Sequence, residues 1–282
     1  MPSLLKFADS DYSYADANFI IFGVPFDGTT SFRGGARFAP NAIREASINL
    51  ESFVYDNKFF LKDSKIHDIG NLEEHGKVED VVDDTRFTIE KILDDKKFPI
   101  MLGGEHSITI GSAKAIKEHD CAILFIDAHS DFRDDYLDVN FSHACVSKRA
   151  FEYLGKDRIA SIGVRSVSPE EYNDKNFKNF YHVSAKFVHE NGIEKSLENV
   201  LNHIKNKRIY LSIDMDGLDP SFAPGVATPG PFGLSTWDLK YVINKIGKML
   251  VGADIVEISP PFDNGNTSML AARLVQEIIS SK

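Results

Sequence analysis

The 282-residue sequence is long enough to bury a sizeable core, and 43% hydrophobic with 26% charged residues is the balance of an ordinary globular protein. Its 32 lysine and arginine residues against 42 aspartate and glutamate residues give a net charge of −10, which argues against a nucleic-acid or anionic-membrane surface and suits cationic ligands. The two cysteines, Cys121 and Cys145, show no metal-binding spacing. The first residues lack the apolar core of a signal peptide, and no window approaches the roughly 18 apolar residues of a membrane span. We therefore expect a cytoplasmic protein without a membrane partner.

Short apolar segments alternate along the chain with amphipathic ones. In chain order, we predict strands at residues 18–23, 65–70, 98–104, 121–128, 158–164, 178–185, 208–216 and 253–259, and helices over 39–52, 83–95, 235–250 and around 271–278. Ser235 and Asp238 form a capping-box pattern at the start of the third of these helices. Continuous apolar strands between amphipathic helices predict an α/β fold with a mostly parallel, about eight-stranded sheet covered on both faces. Because the sequence contains no repeat or linker, we expect residues 1–282 to form a single domain.

Acidic and histidine side chains follow three of the predicted strands, those at 98–104, 121–128 and 208–216. The six residues are His106, Asp127, His129, Asp131, Asp214 and Asp216. The carboxyl ends of parallel strands meet at one edge of a sheet, and alternate residues of a strand share a face, so these side chains can converge. A single aspartate at such a place is more often a turn former, and a single histidine is more often structural, but six together favour a metal site.

The charge of this cluster predicts how many ions it holds. Unpaired buried carboxylates are very costly, and two divalent ions balance the charge of four aspartates. The sequence therefore predicts a centre with two ions, roughly 3.5–4 Å apart. Carboxylates mixed with imidazoles suit Mn²⁺ or Mg²⁺, whereas Zn²⁺ prefers more nitrogen and sulfur ligands.

Three motifs resemble the signatures of the ureohydrolase family, which contains arginases and agmatinases. They are GGEHS (103–107), DAHSD (127–131) and SIDMDGLDPSFAPG (212–225), and GVPFDGTTSFRGGARFAPNAIREA (23–46) is similar to the family's first block. The resemblance spans nearly the whole chain and is nearer to agmatinase than to arginase. It implies a three-layer α/β/α sandwich of the arginase/deacetylase type, a binuclear Mn²⁺ centre, hydrolysis of guanidino groups to urea and an amine, and a homo-oligomer, either a trimer or a hexamer. One departure is Phe232 before Gly233, where the family usually has a glycine pair.

The same resemblance implies roles for individual residues. His106, Asp127, Asp131 and Asp214 would hold one Mn²⁺, and Asp127, His129, Asp214 and Asp216 would hold the other. His143, in FSHACVSKRA, matches the histidine that carries protons, and histidine titrates near neutrality as this role requires. Glu257, in ADIVEISPP, matches the glutamate that binds the guanidinium group, and Asp131 would help to stabilise the tetrahedral intermediate. Without the resemblance, the sequence indicates only that His143 is a histidine in a loop and that Glu257 forms a salt bridge with a nearby lysine or arginine.

The loop after DAHSD bears on the choice of guanidino substrate. Arg133 stands where arginases commonly have asparagine, and Asp134, Asp135 and Asp138 surround it. This acidic loop disfavours a substrate carboxylate, so we predict agmatine as the substrate, with putrescine and urea as products, in polyamine biosynthesis. Arg133 is a further substrate-binding candidate that could accept a carboxylate, although we expect Asp134 or Asp135 to pair with it. The alternatives are an arginase, a guanidinobutyrase, an aminopropylagmatine ureohydrolase, a single-zinc deacetylase and a non-catalytic homologue.

Overall fold

The computed structural model describes residues 5–282, and within them the chain forms ten strands and nine α-helices. The strands are β1 (Phe19–Val24), β2 (Phe53–Val54), β3 (Phe59–Phe60), β4 (Ile66–Asn71), β5 (Phe98–Gly103), β6 (Cys121–Ile126), β7 (Ile159–Val164), β8 (His182–Ser184), β9 (Arg208–Asp214) and β10 (Leu250–Val256). The helices are α1 (Ala39–Ser47), α2 (Val78–Asp94), α3 (Thr109–Ala115), α4 (Val146–Leu154), α5 (Pro169–Asn173), α6 (Ala185–Asn191), α7 (Ile193–His203), α8 (Thr236–Ile246) and α9 (Asn266–Ser280).

Eight of the strands form one sheet in the order β4-β1-β5-β10-β9-β6-β7-β8, and all of its strand pairs are parallel. The predicted α/β fold with about eight parallel strands is therefore confirmed. β2 and β3 form a separate antiparallel hairpin with two residues in each strand. Such short strands leave no alternating pattern in the sequence, so they are not predicted.

The helical layers lie on opposite faces of the sheet, because alternate residues of each strand point in opposite directions. In β6, Leu124 and Ile126 belong to the core under α1, α7, α8 and α9, whereas Ile123 and Phe125 belong to the core under α2, α3 and α4. This arrangement is a three-layer α/β/α sandwich. The strands are buried on both faces, which explains why they read as continuous apolar runs.

Five helices, α3 to α7, lie outside the predicted helical ranges. α3 has seven residues and is buried on nearly all sides, so it has no amphipathic period, and α5 and α6 have only five and seven residues. α8 begins where the capping box predicts: the Asp238 N–H donates to Ser235 Oγ at 3.1 Å, and the Ser235 N–H donates to Asp238 Oδ2 at 2.9 Å. Among the helices of residues 5–282, none combines the length and the apolar character that crossing a membrane requires.

Candidate metal centre and substrate cavity

The four central strands of the sheet, β5, β10, β9 and β6, end at one place in the molecule. His106 follows β5, Asp127 follows β6, Asp214 ends β9 and Glu257 follows β10, and all four side chains are buried. Because these strands are parallel neighbours, residues that are far apart in the chain come together at their carboxyl ends.

His106 is at the centre of a first cluster. Its Nδ1 atom lies 3.3 Å from Asp127 Oδ2, 3.2 Å from Asp131 Oδ2 and 3.2 Å from Asp214 Oδ2. None of these four side chains is more than 10% exposed. Three of them, His106, Asp127 and Asp214, have ligand atoms close enough to one another to bind a common cation.

His129 lies in a second cluster, which shares Asp127 with the first. Its Nδ1 atom is 3.0 Å from Asp216 Oδ2 and 3.8 Å from Asp127 Oδ1, so Asp127 presents one oxygen to each histidine. Asp214 also connects the clusters, because its Oδ2 faces His106 and its Oδ1 accepts a hydrogen bond from the Asp216 N–H at 2.8 Å. With Asp131 beside His106, the structure brings together all six side chains that the sequence analysis singles out as ligands.

Two buried atoms of the first cluster, His106 Nδ1 and Asp127 Oδ2, have no hydrogen-bond partner among residues 5–282. Leaving a buried polar atom unsatisfied costs about 1–3 kcal/mol. Within residues 5–282, the carboxylates of the two clusters form ion pairs with histidines and not with lysine or arginine. Divalent cations would supply both the missing partners and the missing positive charge, so the residues present fit metal ions.

The clusters hold protons when no cation is bound. Burial, together with the charge of Asp127, raises the pKa of Asp131 to about 7. Burial and the charges of Asp216 and Asp127 raise the pKa of Asp214 well above its usual value. Burial by itself lowers the pKa of His106, but its carboxylate neighbours more than offset this and raise it well above the usual range. Metal ions must displace these protons on binding, so metal affinity should increase with pH.

Asp131 and Glu257 both have left-handed backbone conformations, with φ angles of 46° and 65°. For residues other than glycine this costs about 1–3 kcal/mol each and persists only where the surroundings impose it. The Glu257 N–H donates to the Gly104 carbonyl at 2.9 Å, and Glu257 Oε1 accepts the His106 N–H at 2.6 Å. The Lys148 N–H donates to the Asp131 carbonyl at 3.2 Å. Neighbouring residues thus hold the backbone of both residues and the carboxylate of Glu257, as is common at functional sites.

A cavity of about 250 Å³ opens onto both clusters, and Glu257 forms part of its wall. Glu257 is only 6% exposed, and burial together with the charge of Glu105 raises its pKa to about 8. Its carboxyl group is therefore mostly protonated at neutral pH as long as no cation is near. A cationic ligand in the cavity would favour the ionised form.

His143 also lies on the wall of this cavity. Its Nδ1 atom is 3.2 Å from Thr29 Oγ1 and 3.3 Å from Ser142 Oγ, and the ring of Tyr136 packs edge-on against it with centroids 5.7 Å apart. Burial lowers the pKa of His143, so the ring is neutral at pH 7. A neutral imidazole at this position can accept a proton on one nitrogen while it donates from the other.

The predicted pairing of Arg133 is wrong. Its Nη1 donates to Glu170 Oε2 at 2.7 Å instead of to Asp134 or Asp135, and Asp134 pairs with Arg149 at 2.7 Å. Glu170 belongs to α5 and approaches Arg133 through the fold, which the local sequence does not indicate. Arg133 nevertheless lines the cavity.

A buried polar chain behind His106 is missing from the sequence predictions. His106 Nε2 is 3.1 Å from Ser212 Oγ, and Ser212 Oγ donates to Asp254 Oδ1 at 2.6 Å. Asp254 Oδ2 also accepts hydrogen bonds from Thr109 Oγ1 at 3.2 Å and from Ser112 Oγ at 3.3 Å. The signal that could have revealed this chain is the position of Asp254 inside the apolar run of β10, where a carboxyl group needs buried donors.

The loop of residues 25–35 forms another wall of the cavity, through residues 30–32. It packs directly on the turn after β5, where the Glu105 N–H donates to the Phe26 carbonyl at 2.8 Å. A Cβ atom on Gly104 would lie only 1.9 Å from that carbonyl oxygen, so this close approach requires glycine. Gly104, the second glycine of GGEHS, is thus the sequence signal for the docking of this loop.

The loop between β9 and α8 contains Phe232, the departure from the family pattern. Phe232 is 86% exposed and has a φ angle of 65°, a conformation that glycine adopts without strain. The Arg165 guanidinium fixes this loop by donating to the carbonyls of Asp216 and Gly230 at 2.7 Å each and to that of Pro231 at 3.0 Å. The loop therefore keeps its anchor next to the second cluster, and Phe232 extends into solvent.

Comparison with known proteins identifies the family. The model of the arginase family matches residues 17–280. The agmatinase of Halalkalibacterium halodurans is 34% identical over 97% of this chain and 95% of its own, and the N(1)-aminopropylagmatine ureohydrolase of Thermococcus kodakarensis is 35% identical over 92% and 88%. The crystal structure of the agmatine ureohydrolase of Thermoplasma volcanium has 47% identity and a TM-score of 0.96, covering 99% of this chain and 94% of that one. The chain therefore belongs to the arginase family, and it is a hydrolase of guanidino compounds.

Proposed function

We propose that this chain is an agmatinase, which hydrolyses agmatine to putrescine and urea with two Mn²⁺ ions. The observation that carries the proposal is the position of Asp127, whose two oxygens face two different histidines, His106 at 3.3 Å and His129 at 3.8 Å. A carboxylate shared by two clusters suits a pair of ions better than the single zinc of a deacetylase. The retention of all six side chains also argues against a non-catalytic homologue.

The clusters divide into two ligand sets. His106, Asp127, Asp131 and Asp214 would hold one ion, and Asp127, His129, Asp214 and Asp216 would hold the other. Four carboxylates and two imidazoles form an oxygen-rich set that suits Mn²⁺. When bound, the two ions would supply an activated water and would stabilise negative charge developing during hydrolysis. Asp131, which also lines the cavity, would hydrogen-bond to the tetrahedral intermediate.

Glu257 is the proposed partner of the guanidinium group. Its Oε1 already accepts the His106 N–H at 2.6 Å, which fixes the carboxyl plane. A planar guanidinium can donate parallel hydrogen bonds to such a carboxylate, and its charge offsets the burial and the repulsion from Glu105 that together raise the pKa of Glu257 to about 8. Binding of the cation would thus be coupled to loss of the proton from Glu257.

His143 is the proposed proton carrier and a neighbour of the substrate. Its ring is neutral at pH 7 because burial lowers its pKa, and it lies on the cavity wall. From there it can accept a proton during water activation and deliver it to the amine that leaves. Such a positioned acid or base contributes about 10²–10⁴-fold to the rate.

The far end of the substrate would meet an uncharged wall, formed in part by residues 166–168, and the pair of Arg133 with Glu170. The Glu170 side chain is 64% exposed, so its carboxylate can attract the terminal ammonium group of agmatine while it neutralises Arg133. The agmatinase and the agmatine ureohydrolase among the relatives support the same substrate. One observation favours a second candidate, 4-guanidinobutyrate: the Arg133 side chain itself lines the cavity and could pair with a carboxylate.

The cellular setting belongs to the same proposal. Agmatine hydrolysis would place the enzyme in polyamine biosynthesis, and two buried free thiols, Cys121 and Cys145, suit the reducing cytoplasm. The trimer or hexamer implied by the family resemblance stays a prediction, which light scattering of the purified chain can test.

The experiment that tests the proposal strips the protein with a chelator, reloads it with Mn²⁺ and measures urea release. Agmatine, 4-guanidinobutyrate, aminopropylagmatine and arginine are compared side by side, with metal content determined on the same samples. We expect two Mn²⁺ per chain and the highest kcat/KM for agmatine. A sample with two Mn²⁺ per chain that releases no urea from agmatine would overturn the proposal, and one zinc per chain in the purified protein before stripping would point to the deacetylase class.

A further inference from the structure

Glu105 is a fully buried carboxylate whose hydrogen bonds, within residues 5–282, come from uncharged donors. Its Oε1 accepts from Thr29 Oγ1 at 2.5 Å and from Ser107 Oγ at 2.6 Å, and its Oε2 accepts from the Thr29 N–H at 2.9 Å and from Thr30 Oγ1 at 3.0 Å. A buried carboxylate is tolerated only when it is well supplied with donors. Three of these four donors belong to two adjacent residues, so Glu105 fixes the conformation of residues 29 and 30.

Thr29 connects this carboxylate to His143. The single hydroxyl proton of Thr29 is donated to Glu105 at 2.5 Å, so Thr29 Oγ1 can only accept further hydrogen bonds. It accepts the His143 backbone N–H at 3.0 Å, and it lies 3.2 Å from His143 Nδ1. An oxygen that has already given its proton away bonds to Nδ1 only if Nδ1 carries a hydrogen. In the neutral ring, the lone pair is then on Nε2.

The other edge of the ring carries Nε2. Within residues 5–282, the hydrogen bonds of the His143 ring involve Nδ1, and the residue lines the cavity. We propose that Glu105 and Thr29 are positioning residues, which hold His143 as the tautomer protonated on Nδ1 and leave Nε2 free to accept a proton in the cavity. The inference rests on the proposed function for the role of His143, but the tautomer itself can be measured without any reaction.

Ser142 offers the competing arrangement. Its Oγ is 3.3 Å from His143 Nδ1 and could donate to it, which would place the ring hydrogen on Nε2 instead. Thr29 is favoured because its oxygen is closer and binds both the backbone and the ring of His143. The two arrangements predict opposite tautomers.

The test is nitrogen NMR of the full chain, labelled with ring-¹⁵N histidine and kept in Mg²⁺, which is diamagnetic. His143→Asn identifies the signals of His143 by their disappearance. We expect the chemical shift of a protonated nitrogen for Nδ1 and that of an unprotonated nitrogen for Nε2 at neutral pH. The opposite pattern in the wild-type protein would overturn the proposal directly.

Thr29→Val keeps the shape of the side chain and removes the hydroxyl group, so we expect a loss of the single tautomer. Thr29→Ser keeps the hydroxyl and should retain the wild-type pattern. Thr30→Val is the matched control, because it removes a hydroxyl that also bonds to Glu105 but does not touch His143. If Thr30→Val altered the His143 shifts as much as Thr29→Val, the effect would be one of general loop structure and the proposal would fail.

Kinetics with agmatine give an independent reading. Thr29→Val should lower kcat by about 10- to 100-fold, a part of the 10²–10⁴-fold that a well-placed acid or base provides. KM and Mn²⁺ content should change little, and Thr29→Ser should recover most of kcat. An unchanged kcat in Thr29→Val would contradict the positioning role. If the wild-type chain released no urea at all, the proposed function would fail while the tautomer assignment could still be confirmed by NMR.

Discussion

Ser212→Ala tests how the chain behind His106 prepares the metal centre. Ser212 Oγ donates to Asp254 Oδ1 at 2.6 Å, so it can only accept from His106 Nε2, 3.1 Å away. That hydrogen bond keeps a ring hydrogen on Nε2, so that Nδ1, once it has lost its proton, would offer its lone pair to a cation held by the three carboxylates. Loss of such a supporting partner typically lowers metal affinity by about 10- to 100-fold. This corresponds to about 1.4–2.8 kcal/mol of binding free energy.

The assay is Mn²⁺ binding measured by calorimetry against a competing chelator. We expect Ser212→Ala to weaken the binding of the Mn²⁺ ion beside His106, while the affinity for the other ion stays the same. Ser212→Thr retains a hydroxyl group and should bind Mn²⁺ nearly as the wild type does.

Ser112→Ala is the matched control for this experiment. Ser112 Oγ also donates to Asp254, at 3.3 Å, and is fully buried, but its other contact is Tyr210 and not His106. Both variants should therefore destabilise the metal-free protein by a similar amount, about 1–3 kcal/mol. Equal Mn²⁺ affinities for the wild type and Ser212→Ala, or an equal loss in Ser112→Ala, would refute the argument.

Three further changes probe the site. Asp127→Ala removes the carboxylate shared by both clusters, so both ions and urea release should be lost. If elemental analysis still found two ions per chain, Asp127 would not be a ligand that both ions share. Glu257→Gln should abolish most guanidine hydrolysis with metal content intact. Because burial and Glu105 raise the pKa of Glu257 from 4.5 to about 8, the folded protein binds the extra proton and loses stability as pH rises through that window. In chelator, Glu257→Gln should therefore have a higher Tm than the wild type at pH 9 and a similar Tm near pH 5; equal Tm values at pH 9 would contradict this. Arg133→Ala should reduce kcat/KM for 4-guanidinobutyrate more than for agmatine, and an equal loss would rule out selective pairing with a carboxylate.

Much of the fold is predictable because its strands are buried on both faces. β6 is an uninterrupted apolar run, β10 is apolar except for Asp254, and the polar residues that follow both strands mark the edge of the sheet where the clusters lie. The six cluster residues are predictable for the same reason, since parallel strands bring their carboxyl ends together. α3 is not predictable from periodicity, because it is buried on nearly all sides.

Contacts between distant segments are the part that the sequence does not reveal. Arg133 has acidic neighbours on its own loop, yet it pairs with Glu170, 37 residues further along the chain. Glu105 lies inside the recognisable GGEHS motif, but its attachment to Thr29, 76 residues away, depends on how the loop of residues 25–35 docks. The choice among several possible partners is made by packing, which local composition cannot specify.

The position of β10 has a consequence for how the protein is made. β10 lies between β5 and β9, although it is the last strand in the chain. A nascent chain that has emerged only to residue 249 can pair β4-β1-β5 and β9-β6-β7-β8, but no strand pairing joins these two half-sheets. His106 follows the first half-sheet, and Asp127 and Asp214 belong to the second, so we expect the first cluster to take its final form when β10 inserts between them. We expect cation binding to be a late event of biosynthesis, in which the ion links residues from two half-sheets that formed separately.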